Sequence, residues 1–332
     1  MAVNVTETTG EAGKRKLKVA VLYGGQSGEH EVSLMSSASV MEELDDARYE
    51  ITPVFIDKNG CWQVPFESLR NYDVVFPVLH GPMGEDGTVQ GLLRLLGVPF
   101  VGAGVVGSAV GMDKAIFKDV MRAHGLPVAP AVVVLRHEWA RDPAAIQAQA
   151  EDALGWPAFV KPANMGSSVG ISKVKNAQSL AAAMDEAFQW DRKVLVEAAV
   201  PNARELEVSV LGNDELQASI VGEIRPRREF YDYAAKYLVK GEEESELIIP
   251  APLSDAQHIR QMAVQAARLA DVQGMTRVDF LMDGAQGNLY INEINTIPGF
   301  TSISMYPKLW AASGLPYPAL LDRLIQLALE KR

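Results

Sequence analysis

The stretch INEINTIPGFTS (Ile291–Ser302) sets a carboxylate, Glu293, and a carboxamide, Asn295, two residues apart in a segment that otherwise reads as a β-strand. Strand side chains alternate faces, so both point the same way and present oxygen ligands, while Ile291 and Ile294 do not share one strand row. The turn DGAQGN joins this strand to MTRVDFLM and predicts a hairpin. Folding it back puts Asp279 within about one residue of opposite Glu293. Asp279, Glu293 and Asn295 then make an all-oxygen cluster of the kind that suits Mg²⁺ or Mn²⁺, with Mg²⁺ typically shared with nucleotide phosphates. Arg277, on the face of Asp279, would balance the acids or clamp a substrate carboxylate. A solvated strand face would carry the same residues.

Three further stretches have phosphate chemistry. In KPANMGSSVGISKV, Lys161 on a strand precedes a loop with Gly166, Ser167, Ser168 and Gly170, whose N–H and hydroxyl groups could cradle phosphate or simply form a hairpin turn. The lysine precedes the loop, so this is not a Walker motif, and no GxGxxG suggests a dinucleotide fold. Lys114, near a helix start, is either a second phosphate contact or a surface lysine. Arg225–Pro250 shows no clear periodicity and exceeds the roughly 12–15 residues of an ordinary connection, which predicts a lid. Its FYDYAAKYL segment would bring Lys236 and Tyr237 over a ligand while excluding water.

GGQSGEHEVS, at the end of the first strand, supplies N–H groups to an anion, with Glu29 opening the helix. Taken alone, Glu29 is first a good helix start. His80 closes a strand and enters a loop, a ligand address in α/β domains, although a lone histidine is also a common structural residue. Cys61 has no activating base nearby and reads as packed.

Positioning these groups requires alternating elements. LKVAVLYGG, YEITPVFID and YDVVFPVLH read as strands, HEVSLMSSASVMEEL and TVQGLLRLL as helices, giving a parallel α/β unit. In the first helix Val32, Met35, Val40 and Leu44 fall roughly on one side. A helix around GMDKAIFKDVMRAHG, stopped by Gly125 and Pro127, opens an α+β unit with strands AVVVL, PAFVKP, GISKV and KVLVEAAV. A third α+β unit holds ELEVSVLG, LQASIVGEI, the helix DAQHIRQMAVQAARLA, the hairpin and a final helix PALLDRLIQLALE. The expected divisions are a disordered leader at 1–16, an N-terminal α/β domain at 17–106, a central domain at 107–200 and a C-terminal domain at 201–332 with a lid loop at 225–250.

The 332 residues are 48% hydrophobic, enough for two or three cores. A net charge of -11 argues against nucleic acid and anionic membranes as partners. No apolar run is long enough to span a bilayer, the leader lacks a secretory h-region, and one cysteine excludes an internal disulfide. A cytoplasmic setting is expected.

In order along the chain, YGGQSGEHEVSL, HGPMGEDGTVQGLL, FVKPANMGSSVGISKV, FYDYAAKY, RVDF and EINTIPGFTSISM resemble the D-alanine–D-alanine ligases of the ATP-grasp superfamily. The resemblance covers about Leu17 to Leu329, and six separated motifs in order make it specific. It implies a three-domain ATP-grasp fold with a Rossmann-like N-terminal sheet and ATP held between two antiparallel sheets. It also implies a reaction: ATP phosphorylates the carboxylate of one D-alanine, the amine of a second attacks, and ADP, phosphate and D-alanyl-D-alanine result, for peptidoglycan precursors.

Carried over by matching position, the resemblance makes Asp279, Glu293 and Asn295 ligands for two Mg²⁺ or Mn²⁺ ions. Lys114, Lys161, Lys236 and Ser168 become phosphate contacts. Glu197 and the backbone of Ala198 and Val200 meet the adenine edge, and Glu205 the ribose. Glu29 orients the first D-alanine's ammonium within a Glu29–Ser167–Tyr237 set. Arg277 and the Gly299 N–H face the reacting oxyanions. Ser304 and the Met305 backbone take the second D-alanine's carboxylate, near His80. Tyr237 at its position favours an amine over a hydroxy-acid acceptor, and a homodimer through the first domain is implied. The rival readings are another ATP-grasp carboxylate–amine ligase and a nucleotide-binding regulator that does not turn over. A regulator would be expected to lose a metal ligand, and all three stand here.

Overall fold

The computed structural model describes residues 15–226 and 245–330. Three sheets organise it. The first is parallel, with β1 (Leu17–Gly24) between β2 (Tyr49–Ile56) and β3 (Val74–Val78). The run Val19–Leu22 is fully buried, as expected for a central parallel strand covered on both faces. Helix α1 (His30–Glu43) covers it, burying Val32 and Val40 but also Ser33, Ser36 and Ser37, and leaving Met35 exposed. The apolar row expected to include Met35 is therefore replaced by serines, because this helix packs through side-chain hydrogen bonds. Ser33 Oγ accepts from the Gly24 N–H at 2.8 Å and donates to the Val78 carbonyl. Helix α2 (Thr88–Leu96) starts and ends on left-handed glycines, Gly87 and Gly97.

The single helix expected around Gly111–Gly125 is two: α3 (Val105–Met112) and α4 (Lys114–Ala123). Asp113 breaks the run because its carboxylate caps the second helix, accepting from the Ala115 and Ile116 N–H groups.

The second sheet is antiparallel, in the order β4 (Ala131–Leu135), β7 (Lys193–Ala198), β5 (Ala158–Pro162), β6 (Ser172–Val174). A short α5 (Arg136–Arg141), α6 (Pro143–Leu154) and α7 (Leu180–Trp190) close its core. The third sheet runs β10 (Glu246–Ile248), β9 (Gln217–Arg225), β8 (Arg204–Gly212), β11 (Gly274–Met282), β12 (Leu289–Asn295), also antiparallel. Helix α8 (Ala256–Leu269) buries Ile259, Met262, Ala263 and Ala266 against it, and α9 (Met305–Ala312) also packs on β8 and β9.

The expected loop over 225–250 is corrected at its end: Glu246–Ile248 pair with Glu223–Arg225 as an edge strand. A three-residue strand is too short to show a periodic pattern. The last helix, α10 (Tyr317–Glu330), bridges the third sheet, at Leu211 and Met275, and the first. Leu320, Leu321, Leu324 and Ile325 bury together with Val19, Val21 and Phe76 of the first sheet, so the chain end locks onto its beginning. Of the expected leader, Arg15 pairs with both oxygens of Asp73 at 2.8 Å, and residues 1–14 lie outside the described part. Cys61 is exposed, not packed, in the turn after β2. Among the described residues no helix is long and apolar enough to cross a membrane.

Candidate active site

The hairpin places Asp279 opposite Glu293 and Arg277 opposite Asn295. Beyond Asp279 the register slips, so that Phe280 faces Ile291 and Asn292 is the extra residue of a bulge. That bulge answers the broken pattern of the strand. Ile291 and Ile294, three apart, both reach the apolar core, which an unbulged strand would forbid.

Each acid of this row has a cation beside it. The Arg277 guanidinium donates to both Asp279 oxygens at 2.6 Å and also pairs with Glu207 at 3.0 Å. Lys114 Nζ stands 3.4 Å from Glu293 Oε2 and donates to the Met165 carbonyl at 2.7 Å. Asn295 Nδ2 donates to Asp279 Oδ2 at 3.0 Å. Two carboxylates and a carboxamide, held together and balanced by cations, are a hard donor set that fits a divalent ion. Among the described residues no three His, Cys, Asp or Glu side chains gather for a metal; the third oxygen of this row is that of the Asn295 carboxamide.

Across the cleft, the loop after β5 holds Ser167 and Ser168 at φ of 47° and 60°, left-handed values that non-glycine residues rarely adopt. Ser167 Oγ donates to Glu29 Oε1. Glu29 precedes α1 but makes no capping bond, so its carboxylate serves the cleft and not the helix. It is gripped: a Cβ at Gly81 or at Gly166 would lie 2.5 Å from its Oε2.

The wall of the cleft contains a buried cluster that sequence reasoning only half found. Glu197, at 1% exposure, meets Lys161 Nζ at 3.0 Å on one oxygen and Lys118 Nζ at 2.9 Å on the other. Burial would push the Glu197 carboxyl up, but the two ammonium groups outweigh it and hold it below its ordinary value. Burial draws Lys118 below the usual lysine range. Both lysines also touch the bulged residue, Lys118 at the Asn292 carbonyl (3.0 Å) and Lys161 at its side-chain oxygen (3.4 Å). Lys118 was missed; its position four residues after Lys114 on one helix was the available signal.

Ala198 and Val200 also line this wall, with Glu205 on the neighbouring strand β8. The Ala198 N–H donates to Pro130 at 2.9 Å and the Ala199 N–H to Pro157 at 3.1 Å. Neither proline has an N–H to return, so the ladder leaves both alanine carbonyls as acceptors for another donor.

At the far end, the buried His80 ring faces the Ile297 carbonyl through Nδ1 at 3.0 Å and Ser36 Oγ through Nε2 at 3.2 Å. Burial holds it below the ordinary histidine value. It is therefore neutral at pH 7 and fixes the loop that carries Gly299. Glu85, also missed, spans the same junction: its carboxyl accepts from Gly81 N–H at 2.8 Å and Ile297 N–H at 3.0 Å. Burial first, and then Glu29, push it up to about 8. Its signal was a second carboxylate within the His80 loop.

Ser304 is the N-cap residue of α9, whose first N–H groups lack intrahelical partners and suit a carboxylate. Its hydroxyl holds Thr301 through N–H (3.0 Å) and Oγ1 (2.8 Å). The Met305 side chain turns into the core with Ile224 and Leu309, leaving only its backbone for a ligand. A Cβ on Gly299 would come within 2.7 Å of Ser304 Oγ.

All the expected site residues within the described part line one cleft of about 830 Å³. Lys236 and Tyr237 lie outside the described residues. The chain as a whole is similar to known proteins. Residues 120–326 match the family described as D-ala D-ala ligase C-terminus, and residues 18–72 and 63–103 match D-ala D-ala ligase N-terminus.

The chain belongs to the D-alanine–D-alanine ligase family.

It is 48% identical to the D-alanine–D-alanine ligase of Heliobacterium modesticaldum, with 95% of each chain covered. It is 51% identical to that of Solibacter usitatus, covering 95% of this chain and 96% of the other. Among solved structures it resembles the Coxiella burnetii D-alanine-D-alanine ligase, with a TM-score of 0.82, 36% identity and 95% and 94% coverage. It is equally similar in fold to the VanG D-Ala:D-Ser ligase of Enterococcus faecalis, at a TM-score of 0.82, 35% identity and 95% and 100% coverage. The mixed sheets, with a parallel N-terminal one, are those of an ATP-grasp ligase.

Proposed function

We propose that this protein joins two D-alanine molecules into D-alanyl-D-alanine with cleavage of ATP to ADP and phosphate, for peptidoglycan precursor synthesis. One observation carries the site reading: the Asp279–Glu293–Asn295 row, Lys114 and Lys161, the Glu29–Ser167 pair and the start of α9 all open into one cleft. Acid activation, amine orientation and acceptor binding need those groups within one substrate's reach.

A carboxylate is a poor electrophile until one of its oxygens carries a phosphoryl group. ATP transfers its γ-phosphoryl to a carboxylate oxygen of the first D-alanine, releasing ADP. The amine of the second attacks the acyl carbon, and the tetrahedral species expels phosphate. Asp279, Glu293 and Asn295 would hold Mg²⁺ or Mn²⁺, which when bound neutralises charge on the phosphates. Lys114, Lys161 and Ser168 serve the phosphates, with Lys236 from the lid. The adenine amino group meets Glu197 and the unclaimed Ala198 carbonyl, Val200 offers its backbone, and Glu205 accepts from the ribose hydroxyls.

Glu29, oriented by Ser167 and joined by Tyr237, receives the first D-alanine's ammonium. Arg277 and the Gly299 N–H stabilise the oxyanion that forms on attack. Ser304 and the Met305 N–H take the second D-alanine's carboxylate at the helix start, and neutral His80 holds their loop in place. The same reading carries two divalent ions, a homodimer through the N-terminal domain, a cytoplasmic setting and the three-domain division at about residues 106 and 200.

The test is ATP-dependent phosphate release with Mg²⁺, offering D-alanine, L-alanine, D-serine, or D-alanine with D-lactate, and identifying the product by mass. D-alanine alone giving the dipeptide supports the reading. Turnover only when D-serine is added would move the acceptor assignment toward that of the VanG enzyme. Silence with every pair despite ATP binding would sink it.

A further inference from the structure

Lys118 has no part in the reaction as described, yet it is among the largest side chains buried to below 2% exposure by residue volume. A buried ammonium is costly unless paired, and this one is ion-paired with Glu197 Oε2 at 2.9 Å and donates to the Asn292 carbonyl at 3.0 Å. Its neighbour Lys161 takes the other Glu197 oxygen and reaches the opening of the cleft, whereas Lys118 lies behind the wall. The two lysines are thus unequal. Lys161 can turn toward a phosphate; Lys118 cannot.

We infer that Lys118 is a positioning residue for nucleobase selection: it keeps Glu197 ionised and aimed as an acceptor when Lys161 engages ATP. This rests on the reading of Glu197 as the residue meeting the adenine edge. An ionised carboxylate accepts from a 6-amino group and is repelled by a 6-oxo oxygen, so the preference for adenine depends on Glu197 staying charged and fixed. The Asn292 carbonyl supplies the anchor. It belongs to the bulged residue of the edge strand β12 and faces α4, where Lys118 donates to it. The base-recognition wall and the strand bearing Glu293 are in this way held by one ammonium group.

The test compares kcat/KM for ATP and inosine triphosphate in the wild type, Lys118→Met, Lys118→Gln and Glu197→Gln. Removing one partner of a buried ion pair is strongly felt by the other, so Lys118→Met should lower the ATP-to-ITP ratio about tenfold or more, with KM for ATP rising more than kcat falls. A residue that only supports folding would reduce the active fraction and leave that ratio alone. An unchanged ratio in Lys118→Met, with Glu197→Gln lowering it, overturns the role of Lys118. An unchanged ratio in Glu197→Gln instead overturns the adenine assignment beneath it. Should Lys118→Met fail to fold, Lys118→Gln, a neutral side chain that can still donate to the Asn292 carbonyl, decides: a lowered ATP-to-ITP ratio supports the proposal and an unchanged ratio refutes it.

Discussion

Asp279 stands directly opposite Glu293 across the β11–β12 ladder, one step before the register slips and Asn292 is left over. The two carboxylates therefore share a face at the last regular rung, while the bulge returns Ile294 and Ile291 to the core.

From that pairing, Asp279→Asn should cut phosphate release by about 10²-fold or more, the scale of losing one preorganised charge contact at a transferring group. The variant should need more Mg²⁺ for its residual rate. A Mg²⁺ titration of activity checks this; an unaltered requirement would remove Asp279 from the metal row.

Gly299→Ala should weaken the acceptor side. The new methyl would press on Ser304 Oγ at 2.7 Å and push it from Thr301. The expected result is a rise in the KM for the second D-alanine of about tenfold, equivalent to roughly 1.4 kcal/mol. Steady-state kinetics resolving the two D-alanine constants reads it, and equal changes in both would contradict the assignment.

Gly166→Ala acts on the other substrate. Its methyl would meet Glu29 Oε2, which cannot retreat because Gly81 packs on the same oxygen. Loss of the Glu29–Ser167 bond should raise the first D-alanine constant and leave ATP binding intact, as measured by nucleotide titration.

Glu85 predicts a pH effect on stability. Its folded value of about 8 exceeds the ordinary 4.5, so between those values the unfolded chain has lost a proton that the folded chain keeps. Its contribution to stability is therefore present below about pH 4.5 and is lost as pH rises toward 8. Glu85→Gln should flatten the fall in melting temperature over that window. It should also lower the melting temperature at pH 5, because one of the Gly81 and Ile297 N–H groups loses its acceptor. Parallel pH–melting profiles for both proteins would rule this out.

Much of the site could be read from residue type and spacing. The two-residue rhythm of Glu293 and Asn295, with a turn of fixed length, sets which side chains share a face, because strand periodicity is local. Elements with strong periodicity or capping signals, such as α2, α8 and α10, were legible for the same reason. The short α5, α9 and β10 were not, since six to eight residues or fewer carry too little pattern. Met35 misled because apolar spacing does not reveal that α1 packs through serine hydroxyls.

The donor inventory, the family motifs and the alternation of strands and helices were all legible along the chain, because each depends on neighbours a few residues apart. The packed fold alone settled that Lys118, Lys161 and Glu197 form one buried cluster, that Glu29 does not cap its helix, and that Glu85 bridges two distant loops. Those contacts join residues far apart in the chain. Their protonation and orientation follow from burial and opposing charge, which exist only once the sheets have packed.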